Sequence, residues 1–411
     1  MAEPANTPVP ASTPRSASPA PGAGPAGGHH HHHQHHLLPF SLPILSSSSS
    51  SASQPQPTSH GAKPRVLHLG DPVRYNPGTY VDLASRCDVV RPPAEDRQRP
   101  AFLQGLREGR WGDFQAVLRP SWGSGGEMGR WDAELVAALP PSVRVFASAG
   151  AGYDWVDTDL LADKGIIYCN GGTAAADAVA DFALAMIIST FRHLPWCAAA
   201  ASSPDPRDFA ACHLDAPARS HNLRGKAVGI VGLGSVGRQV AARCAHGFGM
   251  RVGFHDVAPV QDNVVSGLGS DVVSHANLGS LLAASDCVVL CCPAAADGRP
   301  LITREALASV RRGARLVNVA RGSLVDEDAL ADALAEGTLS SVALDVFADE
   351  SRGAGDKLRH WAASGRALLS CHNAGGTVET HAGFEELSIR NVLDVLGGGK
   401  GLTPVNLQHL R

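Results

Sequence analysis

The chain has 411 residues, 44% of them hydrophobic and 18% charged, with a formal net charge of −4 at pH 7. This length allows two or three domains, and the slight acidity argues against a general nucleic-acid binder, which usually concentrates basic residues on one face. No run reaches the roughly 18 uninterrupted apolar residues that a membrane span needs. Nine scattered cysteines without C-x-x-C spacing favour free thiols, so we expect a cytoplasmic protein without a metal site.

Residues 1–62 differ in composition from the rest of the chain. They are rich in Pro, Ala, Ser and Gly and contain a histidine run at 29–36 and a serine run at 46–51. Such a segment buries too little apolar surface to offset the entropy of ordering it, so we expect a disordered tail. The histidines could hold a metal loosely, although a solvated low-complexity tract is the simpler interpretation. With one arginine and an early acid, the tail does not match a mitochondrial presequence.

From Lys63 onward, apolar strand-like runs alternate with helical patterns, and residues 63–172 predict a first α/β unit. The next pattern predicts a long helix with Thr173 as its N-cap and a stop before Pro195. A loop-like stretch follows to about Asn222.

A second, regular alternation then begins. Continuous apolar runs predict strands at 228–231, 251–255, 287–291, 316–319, 342–346 and 368–370. Helical patterns separate these runs; one starts at Thr303 and another extends from Asp326 to Gly337, a suitable C-terminal glycine. This order predicts a parallel, doubly wound sheet covered on both faces. The amphipathic segment 378–399 has no strand after it, and we expect it to fold back on the first unit.

The strand at 228–231 leads directly into a glycine-rich loop, with Gly232, Gly234 and Gly237 in G-x-G-x-x-G spacing. The first glycine permits a tight turn, the second lets a pyrophosphate approach the backbone, and the third lets helix and strand pack closely. The motif is short, and a glycine-rich turn without a ligand is the alternative. Asp256 ends the next strand 19 residues after Gly237, where a dinucleotide site needs a carboxylate.

These residues predict the choice of cofactor. The N–H groups of Ser235 and Val236, at the start of the helix, are placed to bind phosphates. Asp256 would accept hydrogen bonds from the ribose hydroxyls and repel a 2′-phosphate. Val257 follows it where an NADP enzyme often has arginine. We therefore expect NAD as the cofactor.

Three later stretches carry candidate catalytic side chains: LVNVARGSLVDEDAL with Arg321, VALDVFADE with Glu350, and CHNAGG with His372. Glu350 follows Arg321 by 29 residues, and His372 follows Glu350 by 22. Together with the loop AGAGYDWVD at 149–157 and the glycine loop, they resemble the D-isomer-specific 2-hydroxyacid dehydrogenases, in particular glyoxylate/hydroxypyruvate reductases. The resemblance covers about residues 63–406.

The resemblance implies interconversion of a small 2-keto acid and its D-2-hydroxy acid. Protonated His372 would give a proton to the carbonyl oxygen, because imidazole exchanges protons near neutral pH. Glu350 would orient the ring and stabilise its protonated form. Arg321 would bind the substrate carboxylate through its planar fork. Ordinary alternatives exist: a surface arginine, a solvated loop carboxylate, and one histidine among 19.

The resemblance also implies roles for other residues. The backbone N–H groups of Ala151 and Gly152 would complete the carboxylate clamp, and Asp345 would contact the nicotinamide carboxamide. The remaining residues expected along the cofactor are Pro293, Val319, Ala320, Arg321, His372 and Ala374.

The family architecture implies two Rossmann-like, doubly wound parallel-sheet domains. The NAD-binding domain, residues 173–376, would be inserted into a discontinuous substrate-binding domain of residues 63–172 and 377–411. A homodimer is implied as well, with the helix near 174–192 contributing to the interface.

Three departures from the family pattern stand out. Ser351 and Cys371 occupy positions where the family commonly has proline, which puts the rigidity of two loops in doubt. The loop 294–299 lacks the usual threonines, and Gly298 stands where one is typical. Glu350 argues against formate dehydrogenase, a relative that uses glutamine there.

One function of another class uses the same fold and the same Arg, Glu and His: an NAD(H)-sensing transcriptional corepressor of the C-terminal-binding-protein type. The long tail would suit a scaffold, but the chain has no evident basic nuclear-import run. A degenerate enzyme that only binds NAD is disfavoured, because all three catalytic residue types are present.

Overall fold

The computed structural model describes residues 63–269, 272–294 and 297–410, and the predicted tail of residues 1–62 lies outside them. The described residues form a five-stranded and a seven-stranded sheet, both all-parallel. The strands of the first sheet are β1 Arg65–His68, β2 Asp88–Val90, β3 Ala116–Arg119, β4 Val145–Ser148 and β5 Ile167–Cys169. Those of the second are β6 Ala227–Val231, β7 Arg251–His255, β8 Val273–Ser274, β9 Cys287–Leu290, β10 Ala314–Asn318, β11 Leu339–Leu344 and β12 Ala367–Leu369.

Helices connect and cover these strands. They are α1 Pro77–Arg86, α2 Arg99–Arg107, α3 Ala133–Ala138, α4 Thr158–Asp163, α5 Ala176–Arg192, α6 Leu194–Ser202, α7 Pro206–Arg219, α8 Ser235–Ala242, α9 Asp262–Gly267, α10 Leu278–Ala284, α11 Arg304–Leu307, α12 Glu327–Ala335, α13 Asp356–Ala363 and α14 Val378–Leu396.

The second sheet has the order β12-β11-β10-β9-β6-β7-β8. Its central strands β9 and β10 are buried along their whole length, because separate apolar clusters cover the two faces of the sheet. This is the doubly wound arrangement that continuous apolar strands indicate, and it confirms the predicted fold class. The strand order reverses between β6 and β9, and such reversals open a crevice at the carboxyl ends of the strands.

The ends of five strands in this sheet are aligned in one row. The Cα partners in that row are Val231, Leu290, Asn318, Leu344 and Leu369. The segments that follow these strands therefore leave the sheet side by side. The glycine loop, the segment at Pro293, the Arg321 turn, Asp345 and the His372 loop all meet at one edge.

The C-terminal segment returns to the first sheet, as the sequence predicts. Ile389, Val392 and Val395 of α14 are buried against Val66 and Leu118 of β1 and β3. Farther on, the side chain of Asn406 accepts the backbone N–H of Tyr168 at 2.9 Å. The predicted domain boundaries at 172/173 and 376/377 stay predictions.

Two expectations about the region 173–222 are wrong. The long helix begins at Ala176, and its N-cap is Ala175, without a side-chain bond, instead of Thr173. The supposed loop is a pair of helices, α6 and α7. Pro195 and Pro206 stand in the first turns of these helices, where proline's missing N–H costs nothing. The sequence pattern predicts only a helix stop at Pro195, whereas the same proline begins α6.

Within the described residues, no single helix is long and apolar enough to cross a membrane. The pair α5 and α6, bent by 72° at its break, passes that test together on length and composition only. The same residues contain no group of three or more His, Cys, Asp or Glu side chains arranged to hold a metal ion.

A buried carboxylate ties α14 to the loop after β1. Glu385 is 3% exposed and accepts the backbone N–H groups of Arg74, Tyr75 and Asn76 at 2.9, 2.7 and 3.0 Å. Charge-assisted bonds of this kind are about twice as strong as neutral ones.

Replacing Glu385 by alanine should lower the free energy of unfolding by about 3 kcal/mol, because the substitution removes three charge-assisted hydrogen bonds to a buried carboxylate. Chemical denaturation measures the change. Glu379→Ala, at an exposed position of the same helix, is the matched control and should have little effect. Equal stability of the two variants would contradict the structural role of Glu385.

Candidate active site

The glycine loop follows β6, and its three glycines have different surroundings. Gly232 has a φ of +89°, and a Cβ placed on it would lie 2.8 Å from the Cβ of Cys292. A Cβ on Gly237 would lie 2.0 Å from the carbonyl oxygen of Gly232. A Cβ on Gly234 would meet nothing within 4 Å. The folded chain itself thus requires the first and third glycines, whereas the second leaves open space at the start of α8.

Asp256 lies beside this loop. Its two carboxylate oxygens accept the backbone N–H groups of Leu233, at 2.7 Å, and Ala258, at 2.9 Å. Val257 is 97% exposed. Helix α8 begins at Ser235, and the N–H groups of Ser235 and Val236 have no partners within the helix, as in every first turn. The first N–H groups of α8 and the carboxylate of Asp256 thus both lie at the glycine loop, and their binding of a dinucleotide stays a prediction.

His372 and Glu350 form a direct pair. The imidazole Nδ1 lies 2.9 Å from both carboxylate oxygens of Glu350. The two side chains are 32% and 45% exposed, so the pair is accessible to solvent. This bond fixes the ring and leaves Nε2 as the imidazole nitrogen that can meet a substrate.

The backbone of His372 is in the left-handed region, with φ +52°. Non-glycine residues seldom adopt this conformation, and they keep it only where the surroundings impose it. Here the amide N–H of His372 donates to the carbonyl oxygen of Asp345 at 2.7 Å.

The side chain of Asp345 holds the same loop. It is 1% exposed and accepts the hydroxyl of Ser370 at 2.7 Å and the backbone N–H groups of Asn373 and Ala374 at 2.9 and 2.8 Å. The carboxylate therefore positions the loop that carries His372. The predicted contact with a nicotinamide carboxamide stays a prediction. Ser370 was not predicted as a residue of the site, because a serine before a loop is too common a pattern to indicate a function.

The turn that carries Arg321 is held by Asn318 at the end of β10. The amide of Asn318 accepts the N–H of Ala320 at 3.0 Å and donates to the carbonyl oxygen of Arg321 at 2.8 Å. Asn318 stands three residues before Arg321 in the stretch LVNVARGSLVDEDAL. We predicted no role for it from the sequence, although it belongs to the same stretch as the arginine.

The guanidinium of Arg321 reaches the loop after β4. Its Nε donates to Asp154 at 3.1 Å, and its Nη1 donates to the carbonyl oxygen of Ala320 at 2.7 Å. A Cβ on Gly152 would lie 1.3 Å from Nη2, so the cation occupies the space that a side chain would take. Within the described part of the chain, the N–H groups of Ala151 and Gly152 have no acceptor. Nη2 and these two amides are thus hydrogen-bond donors without a protein acceptor, and the predicted carboxylate clamp stays a prediction.

Trp122 connects the two halves of this site. Its ring makes an edge contact with the ring of His372, with centroids 5.8 Å apart, and a Cβ on Gly150 would lie 2.4 Å from it. The indole is 37% exposed and forms a wall between the imidazole and the loop at 150–152. The other predicted cofactor residues, Pro293, Val319 and Ala320, follow β9 and β10 at the same edge.

Comparison with known proteins gives a consistent result. Residues 184–374 match the family model "D-isomer specific 2-hydroxyacid dehydrogenase, NAD binding domain". Glyoxylate/hydroxypyruvate reductase B of Erwinia tasmaniensis is 30% identical over 296 residues, which are 72% of this chain and 88% of that protein.

Solved structures extend the similarity over both sheets. The holo form of D-mandelate dehydrogenase from Rhodotorula graminis has a TM-score of 0.79 and 36% identity, covering 84% of this chain and 98% of that one. The NADPH-dependent glyoxylate/hydroxypyruvate reductase of Sinorhizobium meliloti, in complex with NADP and malonate, has a TM-score of 0.64 and 27% identity over 85% and 99%. The predicted α/β fold and nicotinamide-dependent oxidoreductase class are confirmed, and the chain belongs to the D-isomer-specific 2-hydroxyacid dehydrogenase family.

Proposed function

We propose that this chain uses NAD to interconvert a small 2-keto acid and its D-2-hydroxy acid, with glyoxylate and hydroxypyruvate as the first candidates. The observation that carries the proposal is the His372–Glu350 pair. The ring of Trp122 contacts this imidazole and lies against Gly150, in the same loop as the Gly152 that Arg321 contacts. The reductase names of the Erwinia and Sinorhizobium relatives support the substrate class.

The residues of the glycine loop fit a dinucleotide. The open space at Gly234 and the free N–H groups of α8 suit a pyrophosphate. Bound as NADH, the nicotinamide supplies the hydride. The Sinorhizobium relative is named as NADPH-dependent, so the family accepts both dinucleotides. In this chain the carboxylate of Asp256 opposes a 2′-phosphate, and Val257 offers no cation to bind one.

His372 gives a proton to the substrate oxygen in the reductive direction and removes it in the oxidative direction. Because Glu350 occupies Nδ1, the exchange takes place at Nε2. The carboxylate of Glu350 accepts a hydrogen bond from Nδ1–H and so orients the ring for that exchange.

Arg321 and the amides of Ala151 and Gly152 bind the substrate carboxylate. A carboxylate held at Nη2 would lie against Gly152. Trp122, together with Tyr153 and Trp155 of the following loop, would then line the substrate side chain. Tyr153 is 38% exposed, which leaves its ring available to that pocket.

We also propose a cytoplasmic homodimer. Leu194, Phe209 and Leu214, on the two helices after α5, are 46%, 61% and 75% exposed. Exposed large apolar side chains on these two helices support a surface that a second copy of the chain covers.

Wild-type protein should oxidise NADH in the presence of a small 2-keto acid, and His372→Gln should lower kcat about a hundredfold or more, because the general acid is lost. Steady-state kinetics with a panel of 2-keto acids measures this. His360→Gln, at an exposed position of α13, is the control and should retain full activity. NADH binding without turnover of any keto acid in the wild type would contradict the proposal and favour the corepressor alternative.

NADH should be preferred over NADPH by about tenfold or more in kcat/KM, because Asp256 repels the 2′-phosphate. The double variant Asp256→Asn/Val257→Arg should reverse or abolish this preference, since it removes the charge and adds a cation. Val257→Ala should leave the preference unchanged. A wild type that uses NADPH better than NADH would show the prediction to be wrong.

Gly234→Ala and Gly237→Ala should separate cofactor binding from folding. The alanine at 234 meets open space, so stability should hold within about 0.5 kcal/mol, whereas NADH affinity should fall about tenfold or more as the methyl group meets the pyrophosphate. The alanine at 237 meets a carbonyl oxygen, so unfolding should become easier by about 2 kcal/mol. Fluorescence titration and chemical denaturation measure the two effects. Unchanged NADH affinity in Gly234→Ala would rule out this placement of the dinucleotide.

A further inference from the structure

One ion pair joins the segment after β10 to the loop after β4: Arg321 and Asp154, 167 residues apart in sequence. The distance between Nε and the carboxylate oxygen is 3.1 Å, and the two side chains are 23% and 54% exposed. A partly solvated pair of this kind adds little to stability. Its importance lies in where it places the guanidinium.

The remaining groups of the guanidinium are in defined positions. Nη1 donates to the carbonyl oxygen of Ala320, and Nη2 lies against Gly152. Within the described residues, Nη2 has no acceptor in the protein. The fork is thus held at Nε and Nη1, and the free nitrogen lies against Gly152.

Hydrogen bonds to Arg130 and Trp131 hold the loop that carries Asp154. Its carbonyl oxygen accepts Nη1 of Arg130 at 2.6 Å, and the side chain of Arg130 also binds Asp157. Two backbone bonds join the neighbouring residues to Trp131, from Trp131 N–H to the Trp155 oxygen at 2.9 Å and from Asp157 N–H to the Trp131 oxygen at 3.0 Å. Trp131 is fully buried. These bonds fix the backbone of the loop from which the carboxylate of Asp154 binds Arg321.

The charges alone would argue against an aspartate here. A second carboxylate near the substrate's own carboxylate repels it, and the ion pair neutralises part of the charge that attracts the substrate. The geometry supplies the compensating advantage. An arginine already fixed in its binding orientation loses less side-chain entropy when the substrate arrives.

We propose that Asp154 is a positioning residue for substrate binding, which holds Nε of Arg321 so that Nη2 stays free beside Gly152 to bind the substrate carboxylate. The inference rests on the proposed function, since it assigns Arg321 to the substrate carboxylate. Asp154 acts through Arg321 and touches neither the substrate nor the cofactor. An acceptor at this position matters more than a negative charge, so asparagine should replace aspartate better than alanine does.

The test compares Asp154→Ala, Asp154→Asn and Asp157→Asn. Asp157 lies in the same loop and pairs with Arg130, so its variant perturbs the loop without touching Arg321. Two quantities are measured for each protein: KM and kcat for the 2-keto acid, and the affinity of the enzyme–NADH complex for oxamate, an unreactive carboxylate analogue of the substrate.

Asp154→Ala should raise KM and weaken oxamate binding about tenfold or more, with kcat changed less than about threefold, the pattern of lost ground-state binding. Asp154→Asn should stay within about threefold of the wild type in both quantities, because its amide oxygen can still accept from Nε. Asp157→Asn should resemble the wild type, and the affinity for NADH should be the same in all four proteins.

Two results would overturn the inference. A lower KM in Asp154→Ala would mean that the aspartate competes with the substrate for Arg321. Equal losses in Asp154→Ala and Asp157→Asn would mean that only loop integrity matters. Failure of the proposed function gives a different result: the wild type would bind NADH but reduce no keto acid. The oxamate titrations would still show whether Asp154 controls anion binding at Arg321.

Discussion

The register of five parallel strands in the larger sheet determines where every candidate catalytic group lies. Val231, Leu290, Asn318, Leu344 and Leu369 stand in one hydrogen-bonded row. A slip of one residue in any strand would turn its side chains to the opposite face and shift the segment that follows. Because the strands are apolar and buried on both faces, such a slip would also disturb the two cores. The strand register therefore determines both the packing of the two cores and the geometry of the site.

The loops beyond this row are fixed by polar side chains at the strand ends. Asp345 holds the His372 loop and Asn318 holds the Arg321 turn. The departures from the family pattern are understandable in these terms. Cys371 stands where proline is common, yet the bonds to Asp345 fix the neighbouring residues. At Ser351, the side chain of Asp349 accepts both the backbone N–H, at 3.1 Å, and the hydroxyl, at 2.5 Å, which gives the turn a local bond where the family has a rigid ring.

Much of this arrangement could be predicted from the sequence. Continuous apolar runs gave the strand count of the larger sheet within one, and the missing strand, β8, has only two residues at the edge. The resemblance to the family, which depends on the order of Arg321, Glu350 and His372, implied the Glu350–His372 contact. The Asp154–Arg321 pair could not be predicted, because no periodicity relates two loop residues on different sheets. The helices α6 and α7 were missed because proline is compatible both with ending a helix and with beginning one.

The contact between Arg321 and Gly152 determines how closely the turn after β10 approaches the loop after β4. The guanidinium fills the volume where a side chain at position 152 would start, so that glycine sets the clearance between the two halves of the molecule. Even one methyl group at position 152 would displace the guanidinium of Arg321 or the loop after β4. Position 152 therefore needs the smallest residue, because any side chain there would keep the Arg321 turn and the loop after β4 apart.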